Sequence, residues 1–121
     1  MLMYARDNVV GAGELQQRLP ADNEVVAATD MLRMLADGTR LRLMWLLSDG
    51  EHDVTSLVAA VGAARPAVSQ HLAKLRLAGL VTIRRDGRRA LYAARGGHVR
   101  RLVTEVMHAA AHSVTGEPEH D

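Results

Sequence analysis

Apolar residues recur every three or four positions along most of this 121-residue chain, which predicts a mainly helical protein. Asp22 or Asn23 can cap the first strong helix, whose inward-facing stripe consists of Val25, Ala28, Leu32 and Leu35. Three further apolar residues widen this stripe, as in helices that touch both their own core and a partner chain: Val26, Met31 and Met34. Gly38-Thr39 opens the next helix, which is apolar on all sides and is therefore expected to be central, with Trp45 in the core.

The middle of the chain predicts a helix-turn-helix followed by a hairpin. Thr55 is expected to cap a short helix over residues 56–61, which Gly62 ends. The next helix begins at Arg65, with Pro66 in its first turn and Gly79 after its last turn. Its apolar face carries Val68, Leu72, Leu75 and Ala78, and its other face carries Arg65, Ala67, Gln70, His71 and Lys74. After Leu80 the period becomes that of a strand, and two β-prone runs flank Asp86-Gly87, a dipeptide typical of tight hairpins.

Basic and acidic residues are segregated along the sequence. Residues 65–101 hold ten basic side chains and one acidic, whereas residues 1–64 hold five basic and nine acidic. Residues 102–121 add four acidic side chains, so the chain as a whole is close to neutral. Four arginines surround the single acid at the hairpin tip, an arrangement that favours an extended anion such as a phosphate backbone: Arg84, Arg85, Arg88 and Arg89. This segregation is typical of a nucleic-acid-binding face.

Composition excludes several classes of protein. The chain has no Cys, which excludes disulfides and thiolate metal sites, and no Phe, so aliphatic residues must build the core. No apolar run is long enough to span a membrane and no signal-peptide pattern opens the chain, so we expect a cytoplasmic protein that does not bind membranes. No nucleophile, paired acids or Gly-rich phosphate loop indicates an enzyme or an organic cofactor.

Three segments and the helix opening at His98 together resemble the ArsR/SmtB family of metal-sensing regulators. The segments are MLADGTRLRLMWLLSDGE, VTSLVAAVGAARPAVSQHLAKLRLAGLV and RRDGRRALY, and the resemblance covers roughly residues 24–112. It implies a mainly α fold with a small β-hairpin, a winged helix-turn-helix, that forms a homodimer through its first and last helices. Family members often carry Ser or Thr as the cap of the recognition helix, where this chain has Ala64. We assign residues 1–20 to a mobile arm with one helical turn at residues 14–19, residues 21–112 to the domain, and residues 113–121 to a flexible tail.

Residues for reading DNA can be assigned from side-chain chemistry. Gln70 can pair with adenine and Arg65 with guanine, while Ser69 and His71 can bind bases or phosphate. Lys74 and the hairpin arginines are better placed for phosphates. The predicted partner is double-stranded DNA, bound by a homodimer at an imperfect inverted repeat.

The last predicted helix carries histidines on a stripe beside its apolar face. His108 and His112 are four residues apart, which is a chelating spacing, whereas His98 and His112 are separated by about 21 Å along a helix and cannot share an ion within one chain. An antiparallel pair of these helices in a dimer would bring His98 of one chain to His112 of the other. The family resemblance implies two such sites, which respond to metal by releasing DNA.

The chain fills that family pattern in part. Gly96 and Ala109 stand where the family has an Asp and a further ligand, while Glu119 and His120 of the tail are additional donors, as in nickel- and cobalt-responsive members. Imidazole and carboxylate donors favour Ni(II), Co(II) or Zn(II) as the effector. His52 and His71 are predicted to be non-ligands. The alternatives are a winged-helix regulator without metal, an enzyme, for which Glu105 and His108 give weak support, and a module whose basic face binds RNA or an acidic protein, which the scarcity of aromatic residues disfavours for single strands.

Overall fold

The computed structural model describes residues 11–116, in which six helices and two strands follow one another along the chain. They are α1 (Ala12–Gln17), α2 (Asp22–Leu35), α3 (Gly38–Asp49), α4 (Val54–Val61), α5 (Arg65–Leu77), β1 (Val81–Asp86), β2 (Arg89–Ala94) and α6 (Gly96–Thr115). The expected fold, mainly α with a small β-hairpin, is confirmed. The helical turn expected at residues 14–19 is a helix over Ala12–Gln17, and α6 continues past His112 to Thr115.

Two predicted helix caps were wrong. The cap of α4 is Asp53 and not Thr55, since Oδ1 of Asp53 accepts a hydrogen bond of 2.8 Å from the backbone N–H of Ser56. The cap position of α2 is Ala21, whose backbone N–H donates to Oε1 of Glu24 at 3.1 Å. Both arrangements satisfy backbone donors that a helix N-terminus leaves without partners.

The core is built from aliphatic residues around α3, which packs against α2, α4, α5, α6 and β2. Its fully buried side chains come from α3, α4, α5, α6 and β1, and from Leu80 just before β1: Leu43, Met44, Leu47, Leu57, Val68, Leu72, Leu75, Leu80, Val81 and Val103. Burying each such side chain contributes roughly 1.5–3 kcal/mol to folding. Trp45 was predicted in the core but is 42% exposed, because the side of α3 that carries it is only partly covered by α6.

The hairpin, residues 81–94, is called the wing below. Its strands are antiparallel and pair Ile83 with Tyr92 and Asp86 with Arg89. The two turn residues are therefore Gly87 and Arg88, one position later than Asp86-Gly87. Gly87 has a φ of 64°. Every described residue with a positive φ is a glycine, so Arg88 has a negative φ, and this combination is the pattern of a type II′ turn. His52 adds a single bridge to Tyr92, with backbone hydrogen bonds of 3.0 and 2.9 Å, and anchors the wing to the segment before α4.

Apolar residues of α2 and α6 remain on the surface of the single chain. Of the α2 stripe predicted to face inward, only Leu35 is buried, while Val25 is 46% and Leu32 53% exposed. Val26, Met31, Val106 and Val114 are exposed as well. These helices therefore present apolar surface that the described chain does not cover. No helix among residues 11–116 is long and apolar enough to cross a membrane.

Candidate nucleic-acid interface and metal centre

The polar face of α5 is exposed opposite its packing face. Val68, Leu72 and Leu75 are buried, and Ser69, Gln70 and Lys74 lie in solvent. Ala64, which precedes the helix, makes no side-chain capping bond, as its residue type requires. Gly79 follows the helix with a φ of 78°, a left-handed conformation that suits glycine, and directs the chain into the wing.

Arg65 connects the two helices of the helix-turn-helix. Its Nη2 donates to Oγ1 of Thr55 in α4 at 2.6 Å. Both residues are at the exposed ends of their helices, so the guanidinium lies beside the polar face of α5 and is accessible to a ligand. Thr55, predicted as a helix cap, is instead a hydrogen-bond acceptor for a proposed DNA contact.

His71 lies on the flank of α5 that faces the start of α3. Its Nδ1 is 3.3 Å from Nη1 of Arg40, and its Nε2 is 4.0 Å from Oδ2 of Asp37. The side chain is only 22% exposed, unlike those of its neighbours Ser69 and Gln70. The structure therefore separates His71 from the other residues expected to read bases.

The four wing arginines fall into two pairs with different surroundings. Arg84 donates two hydrogen bonds, of 2.7 and 2.9 Å, to the carboxylate of Glu51, and Arg89 donates one of 3.2 Å to Oδ2 of Asp53. Arg85 and Arg88 form no ion pair with any described residue and are exposed. Side chains alternate along β1, so Arg84 and Arg85 point to opposite faces of the wing, and only Arg84 faces Glu51.

Glu51 and Asp53 were missed by sequence reasoning although they precede α4 directly. The hydrogen bond from Arg84 holds the pKa of Glu51 below its usual value. The backbone N–H of Ser56 is the largest cause of the lowered pKa of Asp53, and Arg89 adds to it. Both carboxylates are thus stabilised in their charged form, and they offset part of the positive charge counted from sequence.

The three described candidate ligands on α6 occupy separate positions. His98 is exposed, and its Nδ1 lies 3.1 Å from Nη2 of Arg101. His108 is exposed and packs edge-on against Trp45, with ring centroids 6.3 Å apart. His112 is half-buried. Within residues 11–116 of one chain, no three His, Cys, Asp or Glu side chains come close enough to hold a metal ion, and Glu119 and His120 lie outside the described residues.

The donor set fits a borderline metal ion chemically but not within one chain. Imidazole is a good ligand for Ni(II), Co(II) and Zn(II), and His98 and His108 are exposed. Because a guanidinium can only donate, the bond from Arg101 requires an unprotonated Nδ1 on His98 and, in the neutral ring, a proton on Nε2. A metal ion would need either this same Nδ1 or, to bind Nε2, the opposite tautomer with the proton on Nδ1. A metal ion and Arg101 therefore compete for this imidazole.

An apolar cleft of about 370 Å³ lies beside Trp45, between α3, α4 and α6. Leu41, Leu46, Val61 and Met107 line it together with the exposed Arg42. Met107 places this cleft beside α6.

The chain is similar to bacterial regulators in both sequence and structure. Residues 37–82 match the arsR family of bacterial regulatory proteins. The HTH-type transcriptional regulator KmtR of Mycobacterium tuberculosis is 46% identical over 99 residues, covering 82% of this chain and 76% of KmtR. The HTH-type transcriptional repressor SmtB of the same organism is 36% identical over 97 residues, covering 78% of this chain and 72% of SmtB. The homodimeric winged helix-turn-helix DNA-binding domain of Mb0332 from Mycobacterium bovis superimposes with a TM-score of 0.72 at 29% identity, covering 86% of this chain and 99% of that domain.

Proposed function

This chain belongs to the ArsR family of bacterial regulatory proteins, and we propose that it is a homodimeric repressor that reads an imperfect inverted repeat and responds to Ni(II), Co(II) or Zn(II). Family membership makes it a DNA-binding transcription regulator and not an enzyme. The observation that carries the proposal is the exposed face of α5, which presents Ser69, Gln70 and Lys74 without an acidic residue. Residues 21–112 form the proposed DNA-binding domain, which would act in the cytoplasm.

Base reading is proposed for the first half of α5 and phosphate binding for its surroundings. Gln70 would form two hydrogen bonds to adenine. Arg65 would give up its hydrogen bond to Thr55 and donate to the edge of a guanine base instead. Lys74 and two wing arginines, Arg85 and Arg88, would bind phosphates. His71 is not among the proposed base contacts, since it faces Arg40 and Asp37.

A binding measurement tests this division of roles. Fluorescence anisotropy would compare the full chain and its variants on a duplex that the protein selects from a random pool, and on a scrambled duplex. Gln70→Ala should reduce the preference for the selected duplex by about 1–3 kcal/mol. The matched variant Lys74→Ala should weaken binding to both duplexes alike. An unchanged preference in Gln70→Ala would contradict the proposed reading face.

A homodimer is supported by the apolar surface of α2 and α6. Val26 is 61% and Leu32 53% exposed on α2, and Val106 is 39% exposed on α6. Covering such stripes against a second copy is the ordinary solution for helices of this kind, and closed twofold symmetry is the commonest form. The Mb0332 domain, which resembles this chain over nearly its whole length, is homodimeric.

The proposed metal centre lies between protomers. His98 of one protomer would join the partner's His112 and His108 if the two α6 helices packed antiparallel, and Glu119 and His120 of the tail would add donors. A bound ion would supply bonds that favour one relative orientation of the protomers. Because the spacing of the two α5 helices depends on that orientation, metal would change DNA affinity without touching the reading face. Similarity to SmtB, a transcriptional repressor, supports the proposal that this chain represses transcription when no metal is bound.

Calorimetric titration with Ni(II) tests the centre. We expect one ion per protomer and loss of this binding in His98→Ala. The companion variant Arg101→Ala should bind Ni(II) more tightly, because it removes the donor that occupies Nδ1 of His98. Binding that is unaffected by either change would place the ions elsewhere.

A second candidate function is regulation by a signal other than metal. It is favoured by Gly96 and Ala109, which have no donor side chains at two positions where the resembling family has ligands. In that case Ni(II), Co(II) and Zn(II) would all leave DNA affinity unchanged.

A further inference from the structure

Arg40, in the first turn of α3, connects three helices. Its Nε donates to the backbone carbonyl oxygen of Met34, near the end of α2, at 2.6 Å. Its Nη1 lies 3.3 Å from Nδ1 of His71 in the middle of α5. Its own backbone N–H donates to Oδ2 of Asp37 at 2.9 Å, so the base of the side chain is fixed as well. One half-buried guanidinium therefore joins α2 and α5 to the start of α3.

The chemistry of the guanidinium defines the state of His71 in this arrangement. Arginine has no acceptor atom, so Nδ1 of His71 must accept, and the ring proton must lie on Nε2. Nε2 is 4.0 Å from Oδ2 of Asp37. The hydrogen bond from the backbone of Arg40, together with the nearby charge of the Arg40 side chain, lowers the pKa of Asp37 and keeps it ionised. The imidazole is thus held between a cation on one edge and an anion on the other.

Few polar contacts fix the rotation of α5 about its own axis. Its apolar packing through Val68, Leu72 and Leu75 is not directional, whereas hydrogen bonds are. Among residues 11–116, side-chain hydrogen bonds reach α5 from Thr55, which binds Arg65, and from Arg40, which binds His71. The first of these would be given up if Arg65 bound a base. The contact between Arg40 and His71 is compatible with a DNA-bound α5.

We propose that Arg40 and His71 are positioning residues for DNA recognition: they set the orientation of α5 and connect it to α2. The inference rests on the proposed role of α5 in the major groove. His71 then acts from behind the reading face and does not touch DNA. Because base hydrogen bonds weaken steeply when misaligned, a small rotation of α5 would reduce the affinity contributed by Gln70. The link through the carbonyl of Met34 also joins α5 to the helix that carries the proposed dimer surface.

A double-mutant cycle on the full chain tests the proposal. Anisotropy with the selected duplex would measure Arg40→Ala, His71→Ala and the double variant. Each single change should weaken binding roughly tenfold, the size expected for a hydrogen bond to a charged group. The double variant should lose no more than Arg40→Ala alone, because both changes remove the contact between the two side chains and Arg40→Ala removes the bond to Met34 as well. Arg42→Ala is the matched control, since it removes the same charge from an exposed position on the same helix and should leave affinity nearly unchanged.

Conservative variants separate positioning from general damage to the fold. His71→Asn places an amide oxygen near the position of Nδ1 and should restore most of the affinity that His71→Ala loses. Arg40→Lys keeps the charge but cannot reach Met34 and His71 together, so it should bind DNA as weakly as Arg40→Ala while remaining folded by circular dichroism.

Two results would overturn the proposal: additive losses of affinity in the double variant, or a His71→Asn variant that binds DNA as weakly as His71→Ala. Either result would indicate that His71 contacts DNA itself. Gln70→Ala distinguishes this failure from failure of the proposed function. If Gln70→Ala loses affinity while the Arg40 and His71 variants do not, only the positioning role is wrong. If none of them loses affinity, α5 does not read DNA.

Discussion

Arg84 and Arg85 are adjacent in sequence but have different surroundings in the wing. Arg84 forms a bidentate ion pair with Glu51, while Arg85 points to the other face and has no ion-pair partner among the described residues. The sequence shows four arginines near a turn, and the strand period separates them by face. It does not show that the segment before α4 passes beneath one face, because that depends on the backbone bridge between His52 and Tyr92.

We expect Arg85 and Arg88 to contribute more to DNA binding than Arg84 and Arg89, which form ion pairs with Glu51 and Asp53. Arg85→Ala and Arg88→Ala should each weaken binding and reduce the slope of log affinity against log salt by about one. Arg84→Ala should have a smaller effect, since the charge it removes is partly offset by Glu51. Binding constants over a series of NaCl concentrations measure this. Equal slopes for Arg84→Ala and Arg85→Ala would contradict the assignment.

Asp53 should make the stability of the fold depend on acid pH. Its pKa is lowered in the folded chain, so the stability it contributes is present above its ordinary value of 3.8 and is lost as the pH falls below that value. Asp53→Ala removes both the cap of α4 and the partner of Arg89. The variant should melt at a lower temperature than the native chain at neutral pH, and thermal denaturation should show the difference narrowing in acid. A constant difference at all pH values would refute this.

Two residue-level errors have a common physical cause. Thr55 and Asp53 are both good helix caps, and the choice between them depends on where the chain turns after His52. Trp45 belongs to a helix that is apolar on all sides, so periodicity alone cannot show which side lacks a neighbour. Local signals identify candidates in both cases, and the tertiary arrangement selects one.

Among the elements, α5 was the most predictable. Pro66 in its first turn, Gly79 after its last turn and the apolar spacing between them all indicate the same helix, and the structure has it over Arg65–Leu77. The turn of the wing was displaced by one residue, because the strand register pairs Asp86 with Arg89 and leaves Gly87 to supply the positive φ. The helix was predicted correctly because three independent local signals agreed, whereas the turn of the wing rested on a single dipeptide.

The uncapped start of α5 can be stabilised by one substitution. Ala64 has an extended backbone, φ −64° and ψ 143°, which suits a capping serine. The hydroxyl of Ala64→Ser would accept a hydrogen bond from the backbone N–H of Ala67, because Pro66 has no N–H to donate. This cap should raise the free energy of unfolding by about 0.5–1 kcal/mol. Ala73→Ser, at an exposed position inside the same helix, should give no gain. Urea denaturation measures both, and an equal change in the two variants would contradict the capping argument.

At the scale of the whole molecule, the surface of one chain is incomplete. The α2 stripe was expected to pack inward, but it follows the outside of the protomer with only Leu35 buried. A periodic apolar stripe shows that a helix has a packing face and does not show whether that face meets its own core or a second copy. The same limit applies to the histidines of α6, which no single chain brings together among its described residues.

Breaking the proposed dimer should therefore reduce DNA binding. Leu32→Glu places a charge in the exposed stripe of α2, where Leu32 is 53% exposed, so the protomer should keep its fold. Sedimentation should show a monomer, and affinity for an inverted repeat should fall steeply while binding to a single half-site stays the same. Asn23→Glu, at an exposed position in the first turn of the same helix, is the control. A dimer that persists in Leu32→Glu would locate the interface elsewhere.

Metal bound between the α6 helices of a dimer is proposed to change the DNA affinity that α5 provides. Titrating Co(II) into the protein, with anisotropy of a bound duplex and fluorescence of Trp45 followed together, tests it most directly, because Trp45 is the one tryptophan in the sequence and contacts His108. We expect Trp45 fluorescence to change and DNA to be released at the same Co(II) concentration, and we expect His98→Ala to lose both responses while still binding DNA. Unchanged DNA affinity at saturating Co(II), or release that persists in His98→Ala, would contradict it.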